Sequence, residues 1–155
     1  FLTTDSFARY ANVLLLEDFE KNTSEGVVAA PEGHSGKVLR LDPQHQYSRG
    51  LSAPTTDFKI RNKIRIQFDA WAREVPEHFA GLVVSYESAG GKILDYNFTP
   101  LGQWGMRPGK WQSLKREIAI KAADFQQAEV KIYLWNPSSA PLFLDNLKIE
   151  FADED

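Results

Sequence analysis

The chain has 155 residues, 43% of them hydrophobic and 25% charged, which suffices for one globular domain with a sizeable core and excludes a disordered segment. A net charge of −3 and a pI near 5.7 leave no basic stripe of the kind that neutralises phosphates, so nucleic-acid binding is set aside. The absence of cysteine rules out disulfides and zinc–thiolate sites, and no apolar run approaches the roughly 18 residues of a membrane span, so a soluble chain is expected.

The chain opens on Phe1 rather than Met, which points to a processed or excised piece. Residues 1–12 read as a loosely packed lead-in, 13–151 as a single domain and 152–155 as a solvated acidic tail. Strand-like runs follow in order: VLLLEDF (13–19), KVLRLD (37–42), KIRIQFDAWAR (63–73), GLVVSYES (81–88), KILDYNFT (92–99), WQSLKREIAI (111–120), EVKIYLWN (129–136) and LFLDNLKIEF (142–151). Turn signals such as PEGHSG, APTTD, SAGGK, LGQWGMRPGK and NPSSAP separate them. About eight short strands, with room for no more than a helical turn in KAADFQQAE (121–129), predict an all-β sandwich of two antiparallel sheets.

Period-two sorting assigns the faces. Ile64, Ile66, Phe68, Ala70 and Ala72 form one row, leaving Arg65, Gln67, Asp69, Trp71 and Arg73 on the other face. Val130, Ile132 and Leu134 turn inward, with Lys131, Tyr133 and Trp135 outward. In the fifth run Leu94, Tyr96 and Phe98 are assigned inward, with Ile93, Asp95 and Asn97 outward. In 81–88 the inward set is Leu82, Val84 and Tyr86. The last run raises a difficulty, because a row of Phe143, Asp145, Leu147, Ile149 and Phe151 puts a carboxylate among apolar side chains.

If these strands share one sheet, its outer face gathers Trp71, Tyr133 and Trp135 among Arg65, Asp69, Arg73, Asp95 and Asn97. Flat rings beside planar polar groups suit a sugar: a ring stacks on the axial C–H face of a pyranose while amide, carboxylate and guanidinium groups take its hydroxyls. The competing expectation is that a loop folds over these rings and buries them. Trp111, opening a strand, is assigned a structural role, while Trp104 in its Gly-rich loop could be either a ligand platform or a hydrophobic lid.

The succession LLLEDFE (14–20), HSGKVLRL (34–41), IQFDAWAR (66–73), GKWQSLKREIAI (109–120), VKIYLWN (130–136) and LFLDNLKI (142–149) resembles the galactose-binding-like jelly rolls. It is most similar to carbohydrate-binding modules of the xylan- and glucan-binding type. The resemblance implies a jelly-roll β-sandwich and a structural calcium ion held by Glu20 and Asp145, with a backbone carbonyl near Lys37 as a third contributor. His34 departs from that pattern, standing where an oxygen ligand is expected. Without calcium, Asp145 would accept hydrogen bonds from a backbone turn or pair with Arg40 or Lys37.

Catalysis would need an acid–base pair, for which Asp69 and Asp95 are candidates if they face each other across neighbouring strands. His34, His45 and His78 show no metal-ligand spacing, and no Ser-His-Asp elbow, phosphate loop or dinucleotide fingerprint occurs. The expected function is therefore a non-catalytic module that binds a polysaccharide or oligosaccharide. Its expected setting is a larger multidomain protein that is extracellular, cell-surface or periplasmic. A spacer or adhesion sandwich without a sugar site is the alternative.

Overall fold

The computed structural model describes residues 12–20, 26–31, 34 and 36–152; the rest of the lead-in and residues 153–155 of the acidic tail lie outside the described residues. Ten strands form two antiparallel sheets. Their ranges are β1 (Val13–Glu17), β2 (Val27–Ala29), β3 (Lys37–Leu41), β4 (Leu51–Pro54), β5 (Lys63–Trp71), β6 (Gly81–Glu87), β7 (Ile93–Pro100), β8 (Gln112–Ala119), β9 (Glu129–Trp135) and β10 (Leu142–Phe151). All eight predicted strands are present. The two that sequence reading missed, β2 and β4, span three and four residues and run along sheet margins, where little patterning is needed.

One sheet has the order β2-β3-β10-β5-β8, with β1 also paired to β10; the other has the order β4-β9-β6-β7. β5 follows one edge of β10 along both halves, so β3 and β1 divide the opposite edge: β3 takes Leu142–Leu144 and β1 takes Leu147–Glu150. The core between the sheets takes Ile64, Ile66, Phe68, Leu144, Leu147 and Ile149 from one side and Leu82, Tyr86, Val130, Ile132 and Leu134 from the other. Each such large side chain contributes about 1.5–3 kcal/mol relative to exposure.

β10 corrects the predicted row. Its pairing with β5 shifts register between Asp145 and Lys148, and Asn146 has φ +50°, the mark of a β-bulge. Before the bulge Leu142 and Leu144 face the core and Phe143 faces out, opposite Trp71; after it Leu147 and Ile149 face the core. Asp145 stands in register with outward-facing Asp69, so the charge never enters the core. Phase and charge are reconciled by one left-handed residue.

That residue is a testable point. Asn146→Gly keeps the left-handed backbone, whereas Asn146→Val should be about 1–2 kcal/mol less stable than the glycine variant in urea unfolding, because a β-branched side chain is strained at positive φ.

Candidate functional site

The outer face of the four-stranded sheet carries an aromatic cluster. On β9, Val130, Ile132 and Leu134 are buried in the core, which turns Lys131, Tyr133 and Trp135 outward. Tyr47 reaches the same face through an isolated bridge to Trp135; the two rings are parallel within 7° at 6.0 Å, and Tyr47 meets Tyr133 edge-on at 5.8 Å. From β7, Phe98 approaches Trp135 edge-on at 5.6 Å. Gly81 permits this, since it lies between Trp135 and Pro100 in register and a Cβ there would come within 2.7 Å of the Phe98 ring. Val83, flanked in register by Tyr133 and Phe98, is buried although it points outward, so the neighbouring rings close over it. Tyr47 and Tyr96 remain 52% and 45% exposed.

Polar groups border the rings. The Trp135 indole N–H donates to Gln46 Oε1 at 3.2 Å, which fixes the ring plane. Lys131 pairs with Glu87 at 2.8 Å, and that hydrogen bond raises its ammonium above the ordinary value. Ser52 on β4 donates to Glu129. Burial pushes the Tyr133 and Tyr96 phenols up, with neighbouring tyrosines adding to the effect, so both stay neutral hydroxyls able to donate and accept. A shallow groove of about 290 Å³ runs between Tyr47 and Tyr133, walled by Ser48, Ser52 and Lys131.

The predicted site residues do not form one face. Tyr133 and Trp135 come together, but Trp71, Arg65, Asp69 and Arg73 stand on the outside of the other sheet, across the full thickness of the sandwich. Arg65 is held by Glu150 at 3.1 Å and Glu117 at 3.3 Å, and Asp69 accepts from Asn146 Nδ2 at 2.8 Å. Trp71 is only 5% exposed and packs edge-on against Phe143 at 5.5 Å. The assignment of β7 is reversed: in register with outward Val83 and Ser85, Phe98 and Tyr96 face out, while Asp95 and Asn97 turn toward the gap between the sheets. That gap is open at the β7 margin, so Asp95 meets Lys121 at 3.2 Å and Asn97 accepts from Thr99 Oγ1 without penalty. Asp69 and Asp95 consequently belong to different sheets and cannot act as a pair. Sequence reading also missed Tyr47, Tyr96 and Phe98; the clustering of tyrosines in QHQYSRG and LDYNF was the available signal.

Asp145, buried to 4% exposure, accepts from the Asn146 amide through Oδ1 at 2.9 Å and meets His34 Nε2 through Oδ2 at 2.6 Å. Neither Arg40 nor Lys37 is its partner: Arg40 pairs with Asp42, and Lys37 uses its amide to donate to Glu20 Oε1 at 3.1 Å. His34 stacks on Trp111 at 4.2 Å, and the Trp111 indole donates to Pro31 O at 2.9 Å. Pro31 and His34 thereby meet the outer side of this sheet, His34 at Asp145 on β10 and both at Trp111, just ahead of β8. Both Asp145 oxygens are engaged, Glu20 is taken by an amide, and no group of three metal-ligating side chains occurs among the described residues. Trp111 is structural, as expected. Trp104 is a lid: its ring packs on Phe68 at 5.5 Å beneath the Arg116 guanidinium.

The fold is a jelly-roll β-sandwich similar to that of solved family 22 xylan-binding modules. The second xylan-binding domain (CBM22-2) of Paenibacillus barcinonensis Xyn10C superposes with TM-score 0.60 at 16% identity, over 90% of this chain and 99% of that one. Its companion CBM22-1 gives 0.58 at 16% identity, covering 93% and 97%. The C-terminal family 22 carbohydrate-binding module of Clostridium thermocellum Xyn10B gives 0.57 at 12% identity, covering 91% and 94%. No family model and no curated protein matches the sequence.

A clasp made by His34 has a measurable signature. His34→Ala should lower unfolding free energy by about 1–3 kcal/mol through the unsatisfied buried carboxylate, with the same melting temperature in calcium and in chelator. A calcium-dependent rise in melting temperature would instead require a ligand set completed by residues outside those described.

Proposed function

We propose that the chain is a non-catalytic carbohydrate-binding module that holds a polysaccharide or oligosaccharide on the outer face of the four-stranded sheet. The observation that carries this reading is the exposed cluster of Tyr47, Tyr96, Phe98, Tyr133 and Trp135, bordered by hydroxyl, amide and charged groups. A contiguous exposed apolar patch on a small domain marks a binding surface, and aromatic rings edged with donors and acceptors match a sugar's two chemistries. The groove is open and shallow rather than a closed pocket, which suits a chain lying along it. Xylan is the first ligand to test, because the structural neighbours include domains named for binding it.

A binding role without chemistry is supported by the separation of Asp69 from Asp95, each engaged elsewhere. Attachment to a larger protein is supported by one neighbour, a CBM22-1 module joined to a GH10 module in Clostridium thermocellum endo-1,4-β-D-xylanase 10B. No helix of the described residues is long and apolar enough to cross a membrane.

In isothermal titration with xylohexaose, Trp135→Ala and Tyr133→Ala should each weaken binding by about tenfold or more while circular dichroism and melting stay close to the parent. A parent chain that binds nothing on an array of plant and bacterial polysaccharides removes the proposal.

A further inference from the structure

Trp71 and Arg73 are left unused by that reading, yet they lie together at a second concavity on the opposite face of the sandwich. A cavity of about 400 Å³ is lined by Trp71, Phe143, Arg73 and Glu74 and closed by the β9–β10 connection at Ser139 and Pro141. Its aromatic floor is built by register, since Phe143, turned outward ahead of the β10 bulge, stands opposite Trp71 on the outward row of β5. The Trp71 indole N–H, like that of Trp104, is buried without an acceptor, whereas those of Trp111 and Trp135 each have one. A buried unpaired N–H is costly to leave unmade. Arg73 and Glu74 are exposed and form no ion pair with another described residue.

We infer that this cavity is a second binding site, which takes one neutral pyranose ring, the end residue of a saccharide. The lining offers a guanidinium as donor, a carboxylate as acceptor and the Ser139 hydroxyl as both. Adjacent opposite charges at the rim cancel, so an ion gains nothing there that it does not also lose. A sugar hydroxyl donates and accepts at once and satisfies both kinds of group. The Trp71–Phe143 floor faces one apolar ring face, and Ser139 and Pro141 wall the cavity on the β9–β10 side. The two sites share no residue, so this one stands whether or not the four-stranded face binds glycan.

The experiment uses the ¹⁵N-labelled full chain, whose four tryptophan indole N–H signals are assigned by Trp→Phe substitution. Methyl β-xyloside, methyl β-glucoside and methyl β-galactoside are titrated separately. The Trp71 indole signal should shift with at least one of them, shift equally in Trp135→Ala, and need about tenfold more ligand in Arg73→Ala. A signal stationary with all three glycosides overturns the inference, as does a shift that vanishes in Trp135→Ala or is unchanged by Arg73→Ala. If xylohexaose leaves the Trp135 signal unmoved while a glycoside moves that of Trp71, the first reading fails and this one holds.

Discussion

The bulge at Asp145 and Asn146 is the constraint on which the larger sheet depends. β10 touches β1, β3 and β5, so any error in its phase would propagate into three pairings. Unbroken alternation from Leu147 and Ile149 would drive Asp145 into the core, where an unpaired carboxylate costs far more than the left-handed backbone of one asparagine, about 1–2 kcal/mol. Inserting Asn146 at φ +50° lets Leu142 and Leu144 face the core on one side of the bulge and Leu147 and Ile149 on the other. It also marks the point where β3 hands its edge of β10 over to β1.

Turning Asp145 outward does not leave it wet. The β2–β3 connection brings His34 to its free oxygen, and Trp111 pins that histidine by stacking on one side while binding Pro31 on the other. The resemblance to sugar-binding jelly rolls implies a calcium ion clipping the ends of the chain here; the contact that the described residues make to Asp145 Oδ2 is the His34 imidazole. The same connection decides what becomes of the outer face of this sheet. Trp71, with Pro31 nearby, is buried against Phe143 rather than presented in a broad groove.

How much was legible follows from local geometry. β5, β6 and β9 alternate without interruption between neighbours on both sides, and their core rows read directly as Ile64 to Ala72, Leu82 to Tyr86 and Val130 to Leu134. β7 read backwards because it is a marginal strand whose apolar row, Tyr96 and Phe98, serves an exposed face while its polar row meets solvent through the open gap. Hydrophobicity there reports a surface, not a core. The bulge left only a dipeptide trace, Asp-Asn, whose short polar side chains tolerate left-handed backbone. Nor could alternation show that outward aromatics on β5 and β9 belong to different sheets, since sheet membership is a long-range property that no window of sequence contains.

Trp71 and Trp135 make the general point, for both sit on polar outer rows of strands with buried alternate residues. Strand pattern treats them alike. What separates them is the chain beside them: Pro31 and His34 lie against the outer side of the six-stranded sheet, whereas on the other face the approach to β4 contributes Tyr47 to the cluster instead of covering it. Trp71 and Phe143 under a partial cover line a pocket, and rings left open beside Gly50 and Gly81 define a platform. Strands thus set which side chains can face outward, and the connections decide which of those can meet a ligand, and in what shape.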